Sequence, residues 1–192
     1  FLGALPDGRV LDNEGHVAWD MAPYAFLQAD AAPDSVNPSL WRMAQLNAIH
    51  GLFEVVEGMY QVRNMDLSNM TIIEGDSGLI IIDPLLTPAT ASAGLELYYQ
   101  HRSRKTVVAV LYTHNHADHF GGVKGVVNEE DVRAGKVRIY APEGFMEHAI
   151  AENVIAGNAM TRRATYQFGA GLTPGVRGHV DTGLGKALGS GG

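Results

Sequence analysis

Short runs of β-branched and aromatic residues dominate the chain between residues 53 and 82. They alternate with turn sequences at Glu57-Gly58, at residues 64–69 and at residues 75–78. Runs of this length and composition, separated by turns, predict an antiparallel β-meander. The four predicted strands are Phe53–Val56, Met59–Arg63, Met70–Glu74 and Leu79–Ile82.

A helix and an apolar strand follow the meander. Thr87 can cap a helix N-terminus, and Pro88 suits the first helical position. The residues that share one face of this helix, and should pack on the sheet, are Ala91, Leu95, Tyr98 and Arg102. The continuous apolar run Val107–Leu111 is typical of a strand buried on both faces.

The pattern then repeats with a strand at Val137–Ala141 and a helix at about Glu143–Ile155. A meander followed by β-α alternation predicts an α/β fold of the α+β layered kind, with helices over a sheet. Beyond Gly157 the pattern predicts a glycine-rich loop.

The first part of the chain has a different character. Residues 1–38 are rich in Pro, Gly, Asp and Ala, so we expect an extended arm, anchored by Trp19, Tyr24 and Phe26. A short helix is predicted at Ser39–His50. This divides the chain into an N-terminal arm with a short helix (1–50) and a larger folded portion (51–192).

The overall composition excludes several classes of protein. The net charge is −7 with no long basic run, so we expect neither a nucleic-acid partner nor an anionic membrane surface. No apolar stretch approaches the ~20 residues of a membrane-spanning helix. Cysteine is absent, which excludes disulfides, thiolate ligands and a cysteine nucleophile. The chain starts at Phe1 and ends in Gly189-Ser190-Gly191-Gly192, so we expect it to be part of a longer protein.

Candidate chemistry is concentrated directly after the apolar strand. His114, His116, Asp118 and His119 lie within six residues, and Gly121-Gly122 follow. Reactive groups of α/β sheets lie at the carboxyl ends of strands. Imidazole and carboxylate suit a divalent cation such as zinc, with water in the open position. Two other interpretations remain open: a histidine-rich surface loop and a purely structural zinc site.

The H-x-H-x-D-H sequence after an apolar strand resembles the signature of the metallo-β-lactamase superfamily. Asp83, in Ile82-Asp83-Pro84, matches the strand-ending aspartate that braces the metal loop in this superfamily. The resemblance then narrows to the bacterial alkyl sulfatases, the dodecyl-sulfate hydrolases. It is carried above all by Glu152-Asn153-Val154-Ile155-Ala156-Gly157-Asn158-Ala159-Met160, and also by Gly51–Val55, Tyr60–Arg63, Ala141–Phe145 and Gly183–Lys186.

The resemblance implies the N-terminal part of an αββα sandwich whose remaining ligands lie elsewhere. His114 and His116 would hold one zinc ion, and Asp118 and His119 a second. Iron and manganese remain open because nitrogen and oxygen ligands discriminate poorly among these metals. The implied reaction is hydrolysis of an alkyl sulfate to an alcohol and sulfate by metal-activated water. The resemblance also implies a homodimer and a periplasmic or secreted location, and we expect this chain alone to be inactive.

The other polar residues are assigned lesser roles. We expect Asp83 to brace the metal loop rather than to bind metal. Asn153 and Asn158 should lie behind the ligands. The remaining residues considered are Arg162 and Arg163 (solvated or structural), His148 (surface), His179 with Asp181 (not ligands), and His16, His50 and His101 (no role). Rival functions are another hydrolase of the same fold, such as a thioesterase, lactonase or β-lactamase, or a non-catalytic metal-binding protein.

Overall fold

Eight strands in two sheets make up the β-structure of residues 1–186, which are the residues that the computed structural model describes. A small hairpin consists of β1 (Arg9–Leu11) and β2 (Val17–Asp20). The main sheet consists of β3 (Gly51–Val56), β4 (Met59–Arg63), β5 (Met70–Glu74), β6 (Leu79–Ile82), β7 (Val107–Leu111) and β8 (Arg138–Tyr140). The Gly189–Gly192 tail, and with it the end of the predicted 51–192 portion, lies outside the described residues.

The main sheet runs in sequence order from β3 to β8, and its direction changes once. The pairs from β3 to β6 are antiparallel, while β6–β7 and β7–β8 are parallel. Parallel neighbours need a crossover, which α2 (Pro88–His101) provides between β6 and β7. The meander and the following β-α alternation predicted from the sequence are therefore confirmed.

Helix α2 forms as its sequence predicts and covers one face of the sheet. The Thr87 side chain accepts a hydrogen bond from Thr90 N, and Pro88 is the first helical residue. Gly94 brings the helix close to the sheet, because a Cβ there would lie 3.0 Å from Val62 and 3.1 Å from Met70. Between them lies the core, which includes Tyr60, Val62, Met70, Ile72, Leu79, Ile81, Ala91 and Tyr98.

The prediction that β7 is buried on both faces is wrong for the described residues. Val107 and Val110 are buried beneath the helical layer, whereas Val108, Ala109 and Leu111 are only half-buried. Ile80 and Ile82 of the neighbouring β6, which pair with Ala109 and Leu111, are also half-buried, so this face of the sheet is only partly covered by residues 1–186.

The N-terminal segment is more structured than an extended arm. It contains the β1–β2 hairpin and a 3-10 helix at Ala22–Gln28, and Trp19 and Tyr24 are buried as expected, while Phe26 is half-buried. Helix α1 (Pro38–Leu46) is shorter than predicted and is capped by Asn37, whose side chain accepts from Ser39 N. The hairpin contacts α2, so this segment packs on the rest of the chain.

The described part of the C-terminal third contains three α-helices. They are α3 (Glu129–Arg133), α4 (Phe145–Ile150), which continues as a π-helical turn at Ala151–Ile155, and α5 (Gly157–Phe168). The loop predicted beyond Gly157 is therefore wrong for residues 157–168, since no Gly or Pro interrupts residues 158–168 and Gly169 ends the helix with a φ of 65°. No helix within residues 1–186 has the length and apolar character needed to span a membrane.

Candidate metal centre

The loop that carries the histidines leaves the sheet at the carboxyl end of β7. Its backbone continues the parallel pairing for one residue, since Tyr112 N donates to Tyr140 O, and then folds into a 3-10 turn at Ala117–His119. Gly121 and Gly122 let the loop pass close to the β6–α2 connection. A Cβ at these positions would lie 2.3 Å from Leu86 O and 2.1 Å from Pro84 O, so both positions require glycine.

The structure brings the four predicted ligands together. The ring centroids of His114 and His116 are 4.7 Å apart, and those of His114 and His119 are 4.1 Å apart. Asp118 Oδ2 lies 3.3 Å from His119 Nε2. The sequence reasoning therefore placed these side chains in one cluster at the edge of the sheet, which is where the structure has them.

Asp83 contacts the loop from the end of β6. It is buried, with a φ of 54°, and it accepts hydrogen bonds from Thr113 N at 2.8 Å and from Thr113 Oγ1 at 2.6 Å. His119 Nδ1 lies 2.8 Å from the same carboxylate. Both oxygens are thus engaged by the protein, and these contacts favour a brace over a metal ligand.

The surroundings shift the pKa values of two histidines of the cluster in opposite directions. Burial alone would lower the pKa of His119, but hydrogen bonds to Asp118 and Asp83 raise it to about 9. For His114, burial and the neighbouring histidines His119 and His116 lower the pKa. In the metal-free protein at neutral pH, His119 therefore carries a proton that a metal ion would have to displace.

Two residues that the sequence reasoning did not single out support the loop and its neighbours. Ser68 Oγ donates to Asp118 O. Asp66 is buried and accepts hydrogen bonds from Leu86 N at 3.1 Å and from Thr90 Oγ1 at 2.5 Å, so it fixes the β6–α2 connection beneath Gly121 and Gly122. Their only signal in the sequence is their position in the turn between two predicted strands.

The π-helical turn contacts the loop from the other side. Glu152 Oε2 accepts from Asn115 Nδ2 at 2.8 Å and lies 3.3 Å from His116 Nε2. Asn153 Nδ2 donates to Asn115 O at 3.3 Å, so the structure places Asn153 beside the loop, and its role behind the ligands stays a prediction. Asn158 is exposed on α5 and makes no side-chain hydrogen bond with another described residue, so the structure does not bring it to the cluster. Glu152 was missed although it begins the stretch that carried the resemblance.

The remaining candidates lie apart from the cluster. Arg162 and Arg163 are exposed on α5 and pair with no acidic group among residues 1–186. His179 is buried, with its Nδ1 2.8 Å from Tyr24 OH, and Asp181 accepts a hydrogen bond from Asn47 Nδ2 at 3.2 Å. Both therefore connect the C-terminal segment to the N-terminal segment. His16 and His148 are exposed, while His50 and His101 contact residues of the first eight.

The donor set fits a divalent metal but is incomplete by itself. Three imidazoles and one carboxylate lie side by side, and second carboxylates face the ring nitrogens of His116 and His119. This is the outer arrangement that histidine ligands of metals usually have. Within the described residues, however, no three His, Asp or Glu side chains converge on one point closely enough to hold an ion.

The sequence features that define the metallo-β-lactamase superfamily match residues 63–191. The chain belongs to this superfamily.

Its relatives include sulfatases at high identity. An alkyl/aryl-sulfatase of Saccharomyces cerevisiae is 56% identical over 191 residues, which cover 100% of this chain and 30% of the relative. A linear primary-alkylsulfatase of Pseudomonas sp. is 56% identical over 192 residues, covering 100% and 28%. A solved structure of a stereoselective inverting sec-alkylsulfatase from Pseudomonas sp. matches with a TM-score of 0.89 and 56% identity, covering 95% and 29%. The chain thus spans less than a third of the length of these relatives.

Proposed function

We propose that the protein carrying this chain is a metal-dependent hydrolase of alkyl sulfate esters. The observation that carries this proposal is the cluster of His114, His116, Asp118 and His119 at the end of β7. It occurs in a chain that is 56% identical, over its whole length, to proteins named as alkylsulfatases. The cluster alone does not indicate the substrate, because the loop is common to the superfamily. The proposal therefore also depends on the sequence identity to the alkylsulfatases.

The residues of the chain have two kinds of role at the proposed metal centre, as ligands and as support for the ligands. His114 and His116 would hold one zinc ion, and Asp118 and His119 a second. Asp83 keeps His119 and the loop backbone in place through its three contacts. When bound, zinc would supply Lewis acidity, which lowers the pKa of water and offsets negative charge on sulfate. This chain provides two donors for each ion, whereas catalytic zinc sites usually have three protein ligands. The complete centre therefore needs further ligands.

The overall reaction adds water to the ester and releases an alcohol and hydrogen sulfate. The name of the solved relative describes an inverting enzyme. Inversion at a carbon atom requires that the bond to that carbon be broken, so we extend C–O cleavage to this protein. In water labelled with ¹⁸O, the label should then appear in the alcohol. Label in the sulfate would instead mean that the S–O bond breaks, and would overturn this detail.

The first test is sulfate release from dodecyl sulfate by the full protein, with the metal content measured on the same sample. A secondary alkyl sulfate is assayed in parallel, because relatives named for primary and secondary esters are equally similar. We expect about two zinc ions per subunit and a loss of at least about 100-fold in activity in His116→Ala. The control is His148→Ala, an exposed residue of α4 outside the cluster.

Two results would contradict the proposal. Bound zinc without sulfate release would redirect the assignment to another ester class of the same fold, such as thioesters or lactones. A protein that binds no metal would remove the catalytic interpretation altogether.

A further inference from the structure

The π-helical turn at Ala151–Ile155 holds the residue between the first two histidines. Glu152 accepts from the side chain of Asn115, while the next residue, Asn153, donates to the backbone carbonyl of Asn115. Asn153 also donates to Ala149 O at 2.8 Å, which fixes its own orientation. Single π-helical turns in otherwise α-helical segments occur frequently at functional sites.

Glu152 also faces one ring nitrogen of His116. Its Oε2 lies 3.3 Å from Nε2 of that ring. Asp83 makes a similar contact with His119, but with the other ring nitrogen: its Oδ2 lies 2.8 Å from Nδ1. A carboxylate beside one nitrogen of a neutral imidazole favours the tautomer with its proton there, which leaves the lone pair on the other nitrogen. The Glu152 carboxylate therefore favours the tautomer of His116 whose free nitrogen is Nδ1.

We propose that Glu152 is a positioning residue of the metal centre, which orients His116 through its Nε2 and Asn115 through its amide. This inference rests on the proposed function, since it assigns a partner to one of the proposed ligands. Glu152 acts through the two side chains that its carboxylate contacts, those of His116 and Asn115. Its side chain is 44% exposed, so its two contacts are not a by-product of core packing.

Two substitutions separate the contacts of Glu152. In Glu152→Gln the side-chain oxygen can still accept from Asn115, but the negative charge beside His116 is lost. In Glu152→Ala both contacts are lost. The matched control is Glu147→Gln, which removes the same charge from an exposed position of the adjacent α4 that makes no side-chain hydrogen bond with another described residue.

The experiment measures zinc affinity of the full protein by competition with a chelator, together with the melting temperature of the metal-free protein. We expect Glu152→Gln to raise the Kd for zinc by about 10- to 100-fold, the usual effect of losing an outer carboxylate of a histidine ligand. The melting temperature should stay unchanged, and Glu147→Gln should bind zinc as the unmodified protein does. The absorption spectrum of the cobalt(II)-loaded protein should change in Glu152→Gln, because the orientation of a ligand has changed.

Each other outcome counts against a defined part of the inference. If Glu152→Gln binds zinc as tightly as Glu147→Gln, the role of the carboxylate at His116 is overturned, even if Glu152→Ala binds more weakly through Asn115. A lowered melting temperature of metal-free Glu152→Gln would assign the residue to folding instead. If the unmodified protein binds no zinc, the proposed function fails, and this inference fails with it. Zinc binding and sulfate release by the unmodified protein with no effect of Glu152→Gln would refute this inference alone.

Discussion

At the scale of single residues, Asp83 combines backbone strain with three hydrogen-bonding contacts. A non-glycine residue with a positive φ costs of order 1–3 kcal/mol and persists only where its surroundings fix it. Here the bonds to Thr113 and His119 fix it. The strained conformation turns the carboxylate from the end of β6 towards the loop after β7, so that one side chain joins the two strand ends.

We predict that Asp83→Asn weakens zinc binding while keeping the fold. Asparagine tolerates the left-handed conformation, but its amide has only one acceptor oxygen and no charge to balance a protonated or metal-bound His119. The Kd for zinc should rise by about 10- to 100-fold. Asp76→Asn, in the exposed turn between β5 and β6, is the control. Unchanged affinity in Asp83→Asn would show that the brace does not contribute to metal binding.

The cluster of candidate ligands could be predicted from the sequence, but part of its surroundings could not. His114, His116, Asp118 and His119 are adjacent in the chain and follow an apolar strand, so their clustering is a local property. Glu152 lies 36 residues after His116, and its contact depends on how α4 continues into a π-helical turn. No periodicity in the sequence signals such a turn, because it differs from an α-helix by a single residue.

At the scale of elements, burial decided which helices could be predicted. Helix α2 has both an N-cap and a buried face, and its pattern predicts it. Helix α5 has no buried residue and no side-chain cap at its N-terminus, so it lacks both signals that identify α2, and the predicted loop is wrong there. Helix α1 ends at Leu46, and Asn47 is its C-cap residue, whose backbone N–H donates to Met43 O.

The C-terminal end of α2 is fastened to β5 by Glu74. Its carboxylate accepts from Arg102 Nε at 2.9 Å and from Tyr98 OH at 2.6 Å. The hydrogen bond from Arg102 lowers the pKa of Glu74 to about 2, against the opposing effect of burial and with a further contribution from Tyr98. The contact thus links the edge of the helix to the sheet beneath it.

This contact predicts a pH-dependent contribution to stability. Since the pKa of Glu74 is lower in the folded state than its unfolded value of ~4.3, the contribution is complete above that value and is lost as the pH falls towards about 2. Glu74→Gln should lower the free energy of unfolding at pH 7 by about 1 kcal/mol, allowing for solvent screening.

Urea denaturation at pH 7 and at lower pH measures this difference. It should shrink between the unfolded pKa and pH 2. The control is Glu96→Gln, which breaks the exposed pair with Arg104 and should change stability little. Equal stability of Glu74→Gln and the unmodified protein at pH 7 would contradict the prediction.

At the scale of the whole molecule, a buried polar cluster joins the C-terminal end of the described residues to helix α1. Lys186 is 1% exposed, and its Nζ donates to Ala44 O at 2.9 Å and to Asp181 Oδ2 at 2.5 Å. Asn47 Nδ2 donates to the other oxygen of Asp181 at 3.2 Å. Burial lowers the pKa of Lys186, while Asp181 opposes this effect. The segment before residue 186 is therefore anchored on α1, more than 130 residues earlier in the sequence.

Removing one charge of the Lys186–Asp181 pair should lower the free energy of unfolding more than removing both charges. Lys186→Met leaves the buried Asp181 carboxylate without its counter-ion. Because such a loss typically costs about 3–5 kcal/mol, we expect the free energy of unfolding to fall by about 4 kcal/mol. The double variant Lys186→Met with Asp181→Asn buries no charge and keeps an acceptor for Asn47, so it should recover a large part of this loss. Urea unfolding of the two single variants and the double variant measures the coupling directly. If the losses of the single variants simply add in the double variant, the two charges are not coupled, and the anchoring of the segment depends on its apolar contacts, such as that of the buried Val180.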